Sequence, residues 1–207
     1  MNGKMIERYK ASDRVNHWIT AICFILLALS GLALFHPALF WLTNLFGGGP
    51  WTRILHPFIG VVMFVSFLVL ALRFWGHNRM TDNDRKWLGQ WRDVVSNRED
   101  KLPEVGRYNA GQKVLFKIMV LTLLLLLITG IVIWQPYFAP SFSVTVLRWA
   151  VVIHAVSAFV LMLGIIVHIY AAIWVKGSVR AMTRGYVSPA WAKKHHAAWY
   201  REVTSGK

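Results

Sequence analysis

Cysteine is almost absent from this chain of 207 residues, which contains only Cys23. A single thiol can form neither an internal disulfide nor a four-thiolate iron–sulfur site, and the Cys-x-x-Cys-His pattern of covalent haem attachment is missing. Acidic residues are also scarce, with 9 Asp and Glu against 23 Lys and Arg. The sequence contains no Walker A, Gly-x-Gly-x-x-Gly or His-Glu-x-x-His motif, so nucleotide-dependent and zinc-dependent catalysis have no visible apparatus.

Apolar residues, by contrast, dominate the composition. They make up 56% of the chain, whereas charged residues make up 15%, and the mean hydropathy is positive; soluble domains are more polar. The hydrocarbon core of a bilayer needs roughly 20 apolar residues in helical form. Four stretches qualify, at about 15–35, 54–75, 114–134 and 151–175. We therefore predict an all-α integral membrane protein built as a four-helix bundle.

Basic residues cluster in a way that orients these helices, because Lys and Arg in short loops are retained on the cytoplasmic side. Four precede the first helix, eight lie within 79–113 and seven lie within 176–207. Only Arg53 and Arg148 fall in the other two connections. We predict that both termini, the loop over 76–112 and the C-terminal tail are cytoplasmic. The same charges can contact anionic lipid headgroups, so we expect membrane lipid and no nucleic acid as a partner.

Four of the eight histidines lie within or at the edge of the predicted helices. Polar side chains in a bilayer usually face the bundle interior and mark a functional site, although a histidine can also simply hydrogen-bond a neighbouring helix. The predicted topology places His17 and His168 near the cytoplasmic side, and His56 and His154 near the opposite side. From His154 to His168 a helix rises about 21 Å. It makes nearly four full turns over this distance, so the directions of the two side chains around the helix axis differ by only about 40°. One helix face thus carries two histidines at two depths.

Two histidines that face each other suit a flat macrocycle with iron at its centre, because each imidazole offers one nitrogen to one face. A copper or zinc site is less apt, since no intramembrane carboxylate could complete it. We predict the pairs His56 with His154 and His17 with His168, and hence two b-type haems. Small residues such as Gly130 would give room for a ring, though they equally suit close helix packing. We expect structural roles for the remaining histidines, which are His36, His77, His195 and His196.

Strings along almost the whole chain resemble those of the gamma subunit of membrane-bound formate dehydrogenase, a diheme cytochrome b. They are RVNHWITAICFILLALSG, RILHPFIGVVMF, GRYNAGQK, WQPYFAP, VHIYAAIWVKG, and AWAKKHH with WYRE. The resemblance implies a single membrane cytochrome b domain over 1–207. It also implies that the haem iron ligands are the same four histidines, His17, His56, His154 and His168.

The resemblance further implies a quinone pocket beside the cytoplasmic haem, around Asn109, Gly111 and Gln112. From the residues alone, Asn109 could equally cap a helix and Gly111 could ease entry into it. Both interpretations stay open at this point.

By the same resemblance, the chain is an electron-transfer subunit in the bacterial cytoplasmic (inner) membrane and no enzyme by itself. Electrons would come from an iron–sulfur beta subunit on the periplasmic side. The alpha subunit of the same complex would carry a molybdenum or tungsten pterin. They would pass through two haem b groups and reduce menaquinone or ubiquinone near the cytoplasmic side.

Two alternatives remain open. One is the cytochrome b of a membrane nickel–iron hydrogenase, which the GRYNAGQK and AWAKKHH strings disfavour. The other is a haem-free anchor or transporter whose histidines bridge helices or relay protons, although no inverted repeat or broken helix is evident in the sequence.

Overall fold

The structure, a computed structural model, describes residues 4–96, 98 and 101–205. The last two residues of the predicted tail, 206 and 207, and three residues of the predicted loop, 97, 99 and 100, lie outside the described residues. In chain order, the described α-helices and strands are β1 (Ile6–Glu7), α1 (Ala11–Phe35), α2 (Gly49–Phe74), α3 (Asp82–Gly89), α4 (Trp91–Val95), α5 (Ala110–Val132), α6 (Val144–Trp174), α7 (Ser178–Arg184), β2 (Tyr186–Val187), α8 (Pro189–His195) and α9 (Ala197–Thr204).

Four of these helices, α1, α2, α5 and α6, are long and apolar enough to cross a membrane. They begin at residues 11, 49, 110 and 144, a few residues before the predicted starts. Hydropathy locates only the part of a helix that lies in hydrocarbon, whereas the backbone hydrogen bonds continue through the polar first turns. The predicted all-α class with four spans is confirmed. The cytoplasmic location of both termini stays a prediction.

The connection between α1 and α2 is itself largely helical. A 3₁₀-helix over Pro37–Phe46 follows α1, and the His36 side chain caps it by accepting a hydrogen bond from the Ala38 amide at 3.2 Å. Gly47 and Gly48 then adopt φ angles of 85° and 97°, which only glycine reaches without strain. These two glycines turn the chain into α2.

The chain divides into two compact units, each assembled from segments that are distant in sequence. We call the first the span unit; it comprises residues 15–72 and 118–167. We call the second the terminal unit; it comprises residues 1–14, 73–117 and 168–207.

In the span unit, a polar network joins α1 to α2. The Asn16 side-chain amide donates to the Ser66 carbonyl at 2.9 Å, and the Ser66 hydroxyl donates to Oδ1 of Asn16 at 3.0 Å. The Thr20 hydroxyl lies 2.8 Å from the Ser66 hydroxyl. Polar side chains in apolar helices find partners on neighbouring helices in this way. The network fixes α1 against α2 one residue before His17.

The terminal unit has its own small core, formed by both ends of the chain. β1 pairs with β2 in antiparallel register, with Ile6 opposite Val187 and Glu7 opposite Tyr186. The buried core residues and their half-buried neighbours are Ala181, Val187, Ala192, Trp199, Ile6, Tyr9, Trp191 and Tyr200. Burial of this apolar surface stabilises the tail against the N-terminal segment.

Candidate functional site

His56 lies in α2, and its ring orientation is fixed by α1. Its Nδ1 atom is 2.7 Å from the hydroxyl oxygen of Ser30, which is itself 2.8 Å from the Leu26 carbonyl oxygen. A hydroxyl has one hydrogen, which here points to the carbonyl, so the hydroxyl oxygen accepts a hydrogen bond from Nδ1–H. We therefore assign the proton of His56 to Nδ1. Its Nε2 keeps a lone pair, as a metal-binding imidazole requires.

His154 in α6 repeats this arrangement with α5. Its Nδ1 atom is 2.9 Å from the Thr129 hydroxyl, which donates to the Leu125 carbonyl at 2.6 Å. The same argument assigns the proton of His154 to Nδ1 and leaves Nε2 with its lone pair. The two imidazoles are thus held in the same tautomer by two different helices.

A glycine follows each supporting hydroxyl residue. A Cβ atom added to Gly31 would lie 3.4 Å from Cε1 of His56, and one added to Gly130 would lie 3.4 Å from Cε1 of His154. Each imidazole therefore lies directly against the backbone of the neighbouring helix. The room that Gly130 was expected to give is used by a histidine ring.

The two rings face one site. Their centroids are 6.4 Å apart, and the ring planes are inclined by 62°. Two bonds of about 2.0 Å from imidazole nitrogen to metal, with half a ring on each side, span roughly 6 Å between ring centres. The separation of the two ring centroids therefore fits a haem iron that His56 and His154 would hold between them. No cluster of three or more His, Cys, Asp or Glu side chains that could hold a metal ion occurs among the described residues.

His17 and His168 are placed symmetrically within their own helices. His17 comes six residues after the start of α1 at residue 11, and His168 six residues before the end of α6 at residue 174. The His17 ring packs edge-on against Trp18, with centroids 5.4 Å apart. His17 belongs to the span unit and His168 to the terminal unit. The pairing of these two histidines stays a prediction.

Asn109 and Gln112, the predicted quinone-binding residues, form a reciprocal cap at the start of α5. The Gln112 amide donates to the side-chain oxygen of Asn109 at 2.9 Å, and the Asn109 amide donates to the side-chain oxygen of Gln112 at 3.0 Å. Asn109 therefore caps α5, as one of the two interpretations of the sequence predicted. The side-chain oxygens accept these bonds, and no described residue accepts a hydrogen bond from either NH₂ group. Such donors are the chemistry that a quinone carbonyl requires.

Gly111 lies against an aromatic side chain from α3. A Cβ atom added to Gly111 would lie 3.5 Å from Cη2 of Trp87 and 3.5 Å from the side-chain oxygen of Asn109. These are ordinary van der Waals distances. The packing of the chain therefore does not itself require glycine at this position.

A buried ion pair begins at the residue after the cap formed by Asn109 and Gln112. The Lys113 ammonium is 2.7 Å from a carboxylate oxygen of Asp84, and both side chains are buried. Burial alone would raise the pKa of Asp84, but hydrogen bonds from Lys113 and Thr81 outweigh it and lower the pKa. Asp84 thus stays ionised and joins the start of α3 to the start of α5. This ion pair was not predicted from the sequence.

His196 is buried in the terminal unit and both of its ring nitrogens have partners. An arginine can only donate, so His196 Nε2 accepts from Nη2 of Arg8 at 3.1 Å, and Nδ1 donates to the Gly106 carbonyl at 2.8 Å. Burial, followed by the charge of Arg8, lowers the pKa of His196 to about 3. His196 is therefore neutral near pH 7, which agrees with the structural role expected for it.

Comparison with known proteins agrees with the histidine geometry. Residues 8–185 match a family described as prokaryotic cytochrome b561. The chain belongs to this family. Membership of a cytochrome b family implies haem b, and the matched range includes all four intramembrane histidines.

Similar proteins share most of their length with this chain. The formate dehydrogenase cytochrome b556(fdo) subunit of Escherichia coli (strain K12) is 51% identical over 198 residues, 96% of this chain and 93% of that protein. The nitrate-inducible formate dehydrogenase cytochrome b556(Fdn) subunit of the same organism is 46% identical over 97% of this chain and 92% of that protein. The formate dehydrogenase cytochrome b556 subunit of Haemophilus influenzae is 44% identical over 100% of this chain and 87% of that protein. The predicted resemblance is confirmed.

The two hydroxyl residues that hold the histidines, Ser30 and Thr129, were not predicted from the sequence. A signal for them exists, because Ser30–Gly31 and Thr129–Gly130 are the only pairs of Ser or Thr followed by Gly within the four spanning helices. Such a pair combines a hydrogen-bonding group with close access to the helix backbone.

Proposed function

We propose that this chain is the electron-transfer subunit of a formate dehydrogenase complex, passing electrons from an iron–sulfur partner through two b-type haems to a quinone. The observation that carries the proposal is the His56–His154 pair, with ring centroids 6.4 Å apart and both Nδ1 atoms held by hydroxyl groups. This geometry favours a haem protein over a haem-free anchor or transporter, in which histidines would use Nε2 to bridge helices or relay protons.

Haem, when bound, supplies reversible one-electron oxidation and reduction at iron. The chain would hold the iron through the imidazoles of His56 and His154, each kept in one tautomer and orientation. Ser30 and Thr129 do this by accepting hydrogen bonds from Nδ1–H, which also raises the basicity of the nitrogens that would coordinate the metal. Gly31 and Gly130 allow the rings to lie close to the backbones of α1 and α5.

His17 and His168 are proposed as the ligands of the second haem. Both lie on spanning helices, and each is six residues from an end of its own helix, at residues 11 and 174. The basic residues near these ends support the cytoplasmic side for them.

Asn109, Gly111 and Gln112 are proposed to bind the quinone. The reciprocal cap leaves two NH₂ donors at the start of α5, where the helix dipole also favours an oxygen that gains negative charge on reduction. The edge of Trp87 beside Gly111 offers an apolar surface to a quinone ring. Replacement of Gly111 by alanine would fit the chain itself, so loss of quinone reduction in that variant would indicate a clash with the quinone.

The proposed partners follow from the names of the relatives, which are subunits of formate dehydrogenases. We propose an iron–sulfur beta subunit on the periplasmic side, an alpha subunit with a molybdenum or tungsten pterin, and a location in the bacterial inner membrane. The same names favour this assignment over the cytochrome b of a nickel–iron hydrogenase. Copurification with a nickel–iron partner would reject it.

The deciding experiment is a reduced-minus-oxidised absorption spectrum of the purified complex, with haem quantified per chain. We expect two haem b groups per chain. A value of one would reject the second histidine pair, and a colourless protein from haem-replete cells would reject electron transfer altogether. Addition of formate should reduce the haem, and addition of a quinone should then reoxidise it.

A further inference from the structure

Three distant parts of the terminal unit meet at residues 106–108, immediately before the Asn109 cap. Arg8 comes from the N-terminal segment, Arg107 from the segment between α4 and α5, and His196 from the junction of α8 and α9. Arg8 and His196 are both 4% exposed. These side chains therefore join three segments of the terminal unit that are distant in sequence.

Arg8 and Arg107 exchange hydrogen bonds with each other's backbone. Nη2 of Arg8 donates to the Arg107 carbonyl at 2.8 Å, and Nη2 of Arg107 donates to the Arg8 carbonyl at 2.5 Å. No carboxylate pairs with either guanidinium in the described residues. Aromatic rings surround Arg8 instead, with Trp199 at 4.8 Å and Trp191 at 5.1 Å from its guanidinium carbon. Cation–π contacts of this kind hold a desolvated guanidinium in a fixed position.

His196 completes the connection between the tail and the 106–108 segment. It accepts from Arg8 at 3.1 Å and donates to the Gly106 carbonyl at 2.8 Å. The Ala198 amide adds a hydrogen bond to the Val105 carbonyl at 3.2 Å. The backbone on the N-terminal side of Asn109 is therefore held by side chains from both ends of the protein.

We propose that Arg8 and His196 are positioning residues for quinone binding, because they fix the backbone from which the Asn109 and Gln112 donors project. This inference rests on the proposed quinone site. Neither residue touches the quinone; each acts on the donors through the 106–108 backbone. The position of a donor group within a fraction of an ångström decides how well it binds a rigid carbonyl. The chain termini thereby become part of the quinone-reducing machinery.

The test uses the complete complex and two replacements of His196. His196→Leu keeps much of the side-chain volume but removes both hydrogen bonds. His196→Gln can preserve both, because its oxygen can accept from Arg8 while its NH₂ group donates to the Gly106 carbonyl. Arg8→Met tests the other side of the contact. Arg85→Ala is the control, since its exposed ion pair with Asp82 lies in the same unit but away from residues 106–108.

The first measurement is the steady-state rate of formate-dependent reduction of menadione and of a short-chain ubiquinone. We expect His196→Leu and Arg8→Met to raise the quinone KM about tenfold, the factor expected for the loss of one well-placed hydrogen bond. The kcat value and the haem content should change little, while His196→Gln and Arg85→Ala should retain a KM close to that of the natural chain. An unchanged KM in both His196→Leu and Arg8→Met would overturn the inference.

The second measurement is amide hydrogen exchange in the purified complex without quinone. We expect faster exchange in the peptide covering 105–113 for His196→Leu but not for His196→Gln. Unchanged exchange in His196→Leu would also overturn the inference. Should that variant fail to accumulate, Ala198→Pro provides a second test, because it removes the amide that donates to the Val105 carbonyl in the first turn of α9, where proline is tolerated. Faster exchange over 105–113 in Ala198→Pro is expected, and unchanged exchange would overturn the inference.

Asn109→Ala separates this inference from the function on which it rests. If Asn109→Ala raises the quinone KM and the His196 and Arg8 variants do not, the quinone site stands and the positioning role is rejected. If Asn109→Ala and Gly111→Ala both leave the KM unchanged, the proposed quinone site is wrong and the inference fails with it.

Discussion

Three histidines carry their proton on the same ring nitrogen, Nδ1, but differ in what the other nitrogen, Nε2, faces. Two of them, His56 and His154, lie in the span unit, and the third, His196, lies in the terminal unit. In all three, Nδ1 donates to an oxygen atom, from Ser30, Thr129 and Gly106 respectively. In the span unit, Nε2 keeps its lone pair for a ligand. In the terminal unit, Nε2 accepts from Arg8.

This difference shows that burial of a histidine does not by itself indicate a cofactor site. The group at the second nitrogen decides whether the imidazole can coordinate a metal or serves as a link between chain segments. Four changes test this difference. They are removal of the intramembrane histidine rings, removal of the Asp84 charge, removal of the Ser30 and Thr129 hydroxyl groups, and protonation of His196.

The largest effect is expected from removal of the rings in the span unit. His56→Ala and His154→Ala should each abolish the same haem, because both imidazoles would be needed to hold its iron, whereas His17→Ala and His168→Ala should abolish the other. Low-temperature absorption spectra of membranes would distinguish the two haems. A spectral loss shared by His154→Ala and His17→Ala would contradict the pairing. His36→Ala, which removes an exposed cap, should retain both haems.

The next largest effect is expected in the terminal unit, from Asp84→Asn. This change leaves the buried Lys113 ammonium without its counterion, which typically destabilises a protein by about 3–5 kcal/mol. Hydrogen exchange in α3 and the first turn of α5 should increase strongly, while the absorption of the His56–His154 haem stays unchanged. Asp82→Asn is the matched control, because its pair with Arg85 is solvent-exposed on both sides and such pairs contribute little.

Removal of the supporting hydroxyl groups should have an intermediate effect. Thr129→Val and Ser30→Ala take away the acceptor for Nδ1–H, and loss of such an outer partner typically weakens metal binding about 10- to 100-fold. Haem retention during dilution in detergent, together with the reduction potential of the remaining haem, would measure this. Thr122→Val on the same helix is the control, since its hydroxyl bonds only its own backbone. Equal haem loss in both threonine variants would argue against the tautomer assignment.

The smallest effect concerns acidification of the terminal unit. Burial lowers the pKa of His196 to about 3, whereas an exposed histidine titrates near 6.5. Between these two values the undocked tail binds a proton that the docked tail does not, so docking becomes weaker as the pH falls below about 6.5. From pH 7 to pH 5.5 we expect opening of the α8–α9 region to increase about tenfold, as measured by hydrogen exchange corrected for intrinsic rates. His196→Gln should show no such increase.

The four spans and the four intramembrane histidines could be predicted because each depends on local composition. A run of about 20 apolar residues indicates a span wherever it occurs, and a histidine inside one is conspicuous. The predicted starts were late because the polar first turns, such as Ala11 to Arg14, continue the helix outside the apolar run. The reciprocal cap of Asn109 and Gln112 was also predictable in part, since it joins residues only three positions apart.

The terminal unit could not be predicted in the same way. Its contacts join residues far apart in the chain, such as Asp84 with Lys113, Ile6 with Val187, and Arg8 with His196. Nothing near Arg8 distinguishes it from the other basic residues that flank the spans. Its burial depends on Trp191 and Trp199, which reach it only after the tail has folded back.

The amino-acid sequence alone determined the fold class, the number of spans and the identity of the candidate iron ligands, because hydropathy and the rarity of polar groups in hydrocarbon are local properties. Tertiary structure decided which ring nitrogen carries the proton in His56, His154 and His196, and therefore what each ring can bind. The reason is that a tautomer is selected by the hydrogen-bond partner, and each partner lies on a different segment of the chain.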